Sequence, residues 1–154
     1  LAVSPDLKKQ ALSYLETHHV MTLATYGSDG PWATAVFYVN DGFTLFFLTE
    51  THTRHGRNLA ADRRAAAAVH EDYPDWRLIR GLQIAGTAVP VSPVEKAAKL
   101  PAFLAKFPSA GIFLTDPAYL PVLARALVYR IEPGEIWYLD NTKGFSHRER
   151  ILLP

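Results

Sequence analysis

No cysteine occurs anywhere in the 154-residue chain. Its absence excludes disulfide staples, thiolate metal centres and a cysteine nucleophile. An excess of charge is missing too, since 16 lysines and arginines stand against 15 aspartates and glutamates. Neither a nucleic acid nor a membrane is therefore expected as a partner attracted by bulk charge. No apolar run is long enough to span a bilayer and no secretory leader is visible, so a cytoplasmic protein is expected. Catalytic signatures are just as scarce. There is no G-x-G-x-x-G or Walker loop, no pair of carboxylates spaced for glycoside hydrolysis, and no serine–histidine–acid set that spacing supports.

What is present is enough chain for a core without staples, read as one domain over residues 1–154. Ser4-Pro5-Asp6 has the residue order of a helix start, and Leu7, Ala11, Leu12 and Leu15 follow on one helical face. Strand patterns then run over 20–26, 32–39 and 43–49. Gly27-Ser28-Asp29-Gly30-Pro31 and Asn40-Asp41-Gly42 turn between them, which predicts an antiparallel meander. A helix is expected over 52–61. Residues 63–70 carry four alanines in a row and favour helix by propensity, with a small-residue strand as the competing reading.

Further on, 71–75 reads as a loop and 78–91 as a long strand with bends or bulges at Gly81 and Gly86. Ser92-Pro93-Val94-Glu95 is a capping box opening a helix to about residue 107, kinked or split at Pro101. A final strand pair, 127–131 and 136–139, surrounds Pro133-Gly134. The expectation is a mainly β chain with peripheral helices and about six or seven antiparallel strands, which hide their edges best by closing into a barrel.

The most informative stretch is 46–59. An apolar strand, Phe46-Phe47-Leu48, runs into Thr49, Thr51, His52, Thr53, Arg54 and His55, and a helical pattern follows. Hydroxyls, a fixed cation and a helix N-terminus at one strand-to-helix corner suit an anion, above all a phosphate.

The order of elements and these corner residues resemble the pyridoxamine phosphate oxidase-like, FMN-binding split-barrel family. The resemblance runs from Thr22-Leu23-Ala24-Thr25 and Pro31-Trp32-Ala33-Thr34, through Leu48-Thr49 and Thr53-Arg54-His55, to Ile79-Arg80-Gly81-Leu82-Gln83-Ile84-Ala85-Gly86. The tail from Trp137 to Phe145 is similar to a small uncharacterised subgroup of that family. The resemblance implies a split β-barrel and a homodimer, with a flavin in each groove between the chains. It implies that Thr34, Ala35 and Val36 pass under the isoalloxazine ring, and that Leu48 and Thr49 approach ring and ribityl chain. Thr53, Arg54 and His55 would hold the phosphate.

His55 stands where many relatives have lysine, Thr34 where the oxidase has arginine and Gly81 where it has glutamine. These departures argue against vitamin oxidation as the reaction. A flavin-dependent oxidoreductase acting on a small molecule is the first expectation. A flavin carrier or small-ligand sensor without turnover is the second, and an enzyme using deazaflavin or haem the third. No catalytic acid or base is assigned. Beside a phosphate, His55 is expected to have its pKa raised.

Other polar groups read more plainly. His52 and His55 lack further ligands at metal spacing, and no metal site is assigned. His18 and His19 end the first helix, and His70-Glu71-Asp72 is a solvated loop. Trp76, Arg77 and Arg80 are either a substrate-facing cluster or rim packing. The resemblance makes Lys143 a weak second candidate for an anion contact, and Asn141-Thr142-Lys143-Gly144 otherwise reads as a turn. Trp137 and Tyr138 belong to core or dimer interface, and Lys96, Lys99 and Lys106 to a solvated helix face.

Overall fold

A computed structural model describes residues 5–154 and opens on helix α1, Pro5–Thr17. The cap expected at Ser4 lies outside the described residues. Leu7, Ala11, Tyr14 and Leu15 of α1 are buried in the main apolar core. Their spacing follows the helical repeat, with Tyr14 taking the place expected for Leu12.

Eight strands build the body: β1 (Val20–Gly27), β2 (Gly30–Phe37), β3 (Val39–Asp41), β4 (Thr44–Thr49), β5 (Arg64–His70), β6 (Arg80–Pro90), β7 (Leu127–Asp140) and β8 (Arg148–Ile151). All pairings are antiparallel, in the order β2-β1-β5-β6-β7-β4-β3, with β8 on the free side of part of β7. The sheet is a curled half-barrel. The end strand β2 approaches β4, the strand next to the other end, without pairing, which leaves a split.

The meander expected from the first three strands is corrected by this order. β1 and β2 form one hairpin, β3 and β4 another, and β4 pairs with β7. Tyr38 marks the break. It is fully buried, and its hydroxyl donates to the Leu15 carbonyl at 2.7 Å. The alanine-rich segment is strand β5, because its neighbours decide against propensity. Ala65, Ala67 and Val69 point into the core while Ala66 and Ala68 face outward between β1 and β6.

The final strand pair is also corrected, since β7 is continuous for 14 residues. A register shift between Ala85 and Gly86 sets Gly86 against Pro133. A Cβ at Gly86 would lie 2.1 Å from the Glu132 carbonyl oxygen, so the bulge needs glycine. Gly81 sits in regular register. β8 is too short and charged to read from sequence, and Ile151 is its buried residue.

Three longer helical pieces lie outside the sheet: α2 (Arg54–Ala61), α3 (Pro93–Lys106) and α5 (Leu120–Arg125), with a single turn, α4 (Ile112–Thr115), between the last two. Half of the expected capping box forms at α3. The Ser92 hydroxyl accepts the Glu95 amide at 3.2 Å, but the Glu95 carboxylate takes Arg130 at 3.0 Å. Pro101 is accommodated within α3. Phe103 packs with Val39, Phe46 and Val128, which fixes α3 on the outer side of β3, β4 and β7.

The α3 lysines are not a solvated face. Lys96 donates to the Leu123 and Ala126 carbonyls at 2.6 and 2.5 Å, Lys99 lies 4.3 Å from the Phe46 ring centre, and Lys106 donates to Leu15 at 3.1 Å. Their stems cover apolar surface while their ammonium groups tie α3 to the chain on either side. No helix among the described residues is long and apolar enough to cross a membrane.

Candidate functional site

β4 ends at Thr49, and α2 begins at Arg54 after four intervening residues. That turn is tight enough that a Cβ on Gly56 would meet the Glu50 carbonyl oxygen at 2.5 Å. Thr53 caps α2: its hydroxyl donates to the Glu50 carbonyl at 2.8 Å and accepts the Gly56 amide at 3.1 Å. Helix geometry leaves the amides of Arg54 and His55 at the open end, ahead of the first intrahelical bond. At the far side of α2, Asn58 is buried and donates to the Thr25 hydroxyl at 3.1 Å, which locks the helix onto β1.

Thr49, Thr53 and His55 meet at this corner. The Thr49 hydroxyl shares hydrogen bonds with His55 Nε2 at 2.5 Å and with the Thr53 hydroxyl at 3.1 Å. In the chain alone, burial holds the His55 pKa below its ordinary value; the raised pKa expected beside a phosphate belongs to the bound state. Desolvation costs the imidazolium more than two hydroxyls return.

Arg54 leans away from these three residues. Its guanidinium lies 4.3 Å over the Trp32 ring, and Nη2 donates to the Asp29 carbonyl at 3.0 Å. Its Nε is buried and has no partner, the one such side-chain atom among the described residues.

A cavity of about 510 Å³ opens on the other side of Thr49. It occupies the split. Ala35, Val36 and Phe37 of β2 form one wall, Leu48 and Thr49 of β4 another. α3 and the short helices behind it close the third with Leu100, Phe103, Leu104, Phe113 and Leu123. Thr49, Glu50 and Ser109 are its polar lining residues. The Glu50 carboxylate is paired with Arg125 at 3.3 Å and lies 3.9 Å from His52.

Of the residues singled out from sequence, Ala35, Val36, Leu48 and Thr49 therefore line one cavity, and Thr53, Arg54 and His55 stand at its adjoining corner. Thr34 lies on β2 opposite Leu23 and is not a lining residue. The wall from α3 to α5 was missed. Leu100, Phe103, Leu104 and Phe107 do carry a helical repeat, and that signal was available.

A second, shallower concavity of about 370 Å³ lies on the outer sheet face. Two cross-strand rows form its floor, Ala24-Ala66-Ala85-Glu135 and Thr22-Ala68-Gln83-Trp137. Trp137 thus faces outward, with Nε1 donating to Glu135 at 2.5 Å, whereas Tyr138 is core. Trp76, Arg77, Arg80 and Lys143 line neither space. Arg77 pairs with Asp75 and Lys143 with Glu149. His18 ends α1 as expected but bonds Glu71 at 2.7 Å, so Glu71 is not a free loop acid. No metal-binding cluster occurs among the described residues.

A half-barrel whose split opens beside the N-terminus of α2 defines a split-barrel protein. The chain belongs to the pyridoxamine 5'-phosphate oxidase family, whose model matches residues 7–140. It is similar to a UPF0306 protein of Klebsiella pneumoniae, with 33% identity over 137 residues that cover 88% of this chain and 86% of that one. Its fold is that of a heme binding protein from Mycobacterium smegmatis, at TM-score 0.75 and 24% identity over 97% of this chain and 59% of the other. HutZ, the heme storage protein from Vibrio cholerae, shares it at TM-score 0.66 and 18% identity, over 88% of this chain and 94% of HutZ.

Proposed function

We propose that the chain is a flavin-binding split barrel acting as a homodimer, with FMN held by its phosphate at the corner before α2. The observation that carries this is the junction at Thr49, which belongs both to an anion-receiving helix end and to an apolar cavity. Thr49, Thr53, Arg54 and His55 would hold the phosphate, and Thr34, Ala35, Val36 and Leu48 would border the ring. The residues fit such a group, because the buried Arg54 Nε is a donor still lacking an acceptor. A deazaflavin would ask the same of the corner.

Bound FMN would supply hydride transfer. The chain supplies a fixed cation, hydroxyl donors and walls that exclude water. The favoured reading is an oxidoreductase of a small molecule. A carrier or sensor without turnover is the second, and one observation favours it. Glu50 is the one ionisable lining residue, and its carboxylate is paired with Arg125, so no free acid or base faces the cavity.

The heme named for two structural neighbours gets less support from this cavity, whose lining has no histidine, methionine, cysteine or tyrosine to ligate iron. The outward rows of small residues ending at Trp137 support a two-fold partner on that sheet face.

The experiment is a titration of the purified protein with FMN and with riboflavin, followed by absorbance and flavin fluorescence. FMN is expected to bind and riboflavin to bind much more weakly. Equal curves would remove the corner from the site, and a protein that ignores both would end the flavin reading.

A further inference from the structure

Within that reading, the two sides of Thr49 make different chemical demands. The corner has donors for an anion: open helix amides, two threonine hydroxyls and a guanidinium with one unmet N–H. The cavity has almost none. Under α3 to α5 its wall is Leu100, Phe103, Leu104, Phe107, Phe113 and Leu114. The one ionisable lining residue, Glu50, is an acid already paired with Arg125, so a phosphate or carboxylate entering here would find no free cation and an apolar wall.

A phosphorylated vitamin is a poor fit to such a space. So is the pyrimidine edge of a flavin, whose carbonyl and N–H groups need several partners. The volume, about 510 Å³, lies in the range of small-ligand sites. Thr49 and Ser109 hydroxyls are the uncharged polar groups available to orient an occupant.

We propose that the part of the cavity under the α3–α5 wall, beyond the edge where Ala35, Val36 and Leu48 would border the ring, is a second ligand compartment for an uncharged, largely apolar small molecule with one hydrogen-bonding end. The anion corner serves the cofactor, and the substrate or cargo carries no phosphate. This rests on the proposed function for the cofactor's place, but the compartment itself can be tested without it.

The probe is N-phenyl-1-naphthylamine, a neutral apolar fluorophore that brightens when it leaves water. Wild-type protein is expected to bind it saturably. Leu114→Glu places a carboxylate at a half-exposed lining position, and Ala110→Trp fills space at another. Each should weaken the probe by about tenfold or more, since the first charges and the second occupies an apolar site. Arg54→Ala should leave the probe affinity unchanged, and saturating FMN should not displace it.

Four results would overturn the proposal: no probe binding, equal binding by both lining variants shown folded by circular dichroism, stoichiometric displacement by FMN, or preferential displacement by pyridoxine 5'-phosphate over pyridoxine. A cavity filled by a second copy of the chain would give the first of these. Probe binding with no FMN binding at all would sink the flavin reading and leave the apolar compartment standing.

Discussion

Arg54 lies over Trp32, its guanidinium carbon 4.3 Å from the ring centre, while its Nη2 holds the Asp29 carbonyl of the β1–β2 turn. The cation is thus placed by an aromatic face and a hairpin tip rather than by a carboxylate, and it keeps its full charge for an anion. Three elements, β2, the hairpin turn and α2, fix one side chain. Arg54→Ala is expected to weaken FMN by about 1.5–3 kcal/mol, the range for hydrogen bonds to charged groups. Riboflavin affinity should not change. Arg54→Lys should recover part of the loss at most, because an ammonium cannot both stack on Trp32 and reach Asp29. Calorimetric titration of the three proteins with both ligands checks this, and a parallel loss for riboflavin would mean a structural effect.

His55 gives a pH dependence with two parts. In the chain alone, burial lowers its pKa, so the folded state prefers neutral imidazole. The stability this gives is complete above the ordinary value of about 6.5 and is lost as pH falls through the lowered value, with a slope of at most about 1.4 kcal/mol per pH unit. His55→Gln should flatten that acid-side decline in urea denaturation. A phosphate reverses the preference, since it favours imidazolium, so FMN binding should take up a proton and tighten as pH falls. His55→Lys should tighten FMN at about pH 8, where imidazole is neutral. Identical FMN curves for wild type and His55→Gln would place His55 off the phosphate.

Much of this corner was legible in the sequence because its determinants are local. Thr53, Arg54 and the helix they open sit within a few residues, and capping chemistry acts at that range. The bulge glycine Gly86 was visible for the same reason. The cavity was not legible, because β2 and β4 are brought together by the curl of the whole sheet. The part of its far wall beyond α3 is broken by Pro108, Gly111, Pro117 and Pro121 into turns too short to show a period. The four alanines stayed ambiguous for a different reason: propensity weighs a residue alone and favours helix, whereas the competing strand, which the family resemblance favours, forms because β5 is held by strands on both sides. The α3 lysines looked solvated because a helical wheel shows charge but not the carbonyls, carboxylate and ring that distant parts of the chain bring to them.

Lys106 supplies a second titration. It donates to Leu15 and lies 4.0 Å from the Tyr38 ring centre, both of which favour the ammonium. Burial opposes them and prevails, bringing its pKa down to about 8. The folded chain therefore binds this proton less tightly than the unfolded one. Stability should rise between about pH 8 and the ordinary lysine value of about 10.4, and lie flat below that window with respect to this group. Lys106→Met keeps the aliphatic stem and removes the titration, so its stability should not show that rise. Denaturation midpoints of the two proteins across the window are the measurement, and the same slope in both would assign the rise to another group.

The outer sheet face makes the last prediction. Ala24, Ala66 and Ala85 lie side by side across β1, β5 and β6, and Thr22, Ala68 and Gln83 form the next row. Small side chains here let another surface come close to the strands, and Trp137 at the end of one row offers a large apolar face. In a two-fold interface a residue on the patch is met twice, so one added charge becomes two near each other. Ala66→Arg should therefore turn a dimer into a monomer, while Ala97→Arg, on the exposed side of α3, should leave the mass unchanged. The change must come without loss of fold, since the Ala66 side chain points away from the core and a longer one can extend into water. Light scattering at micromolar concentration, with circular dichroism as the control, reads the outcome. A monomeric wild type would remove the partner from the proposed function. A dimer unaffected by Ala66→Arg would move the interface to another face.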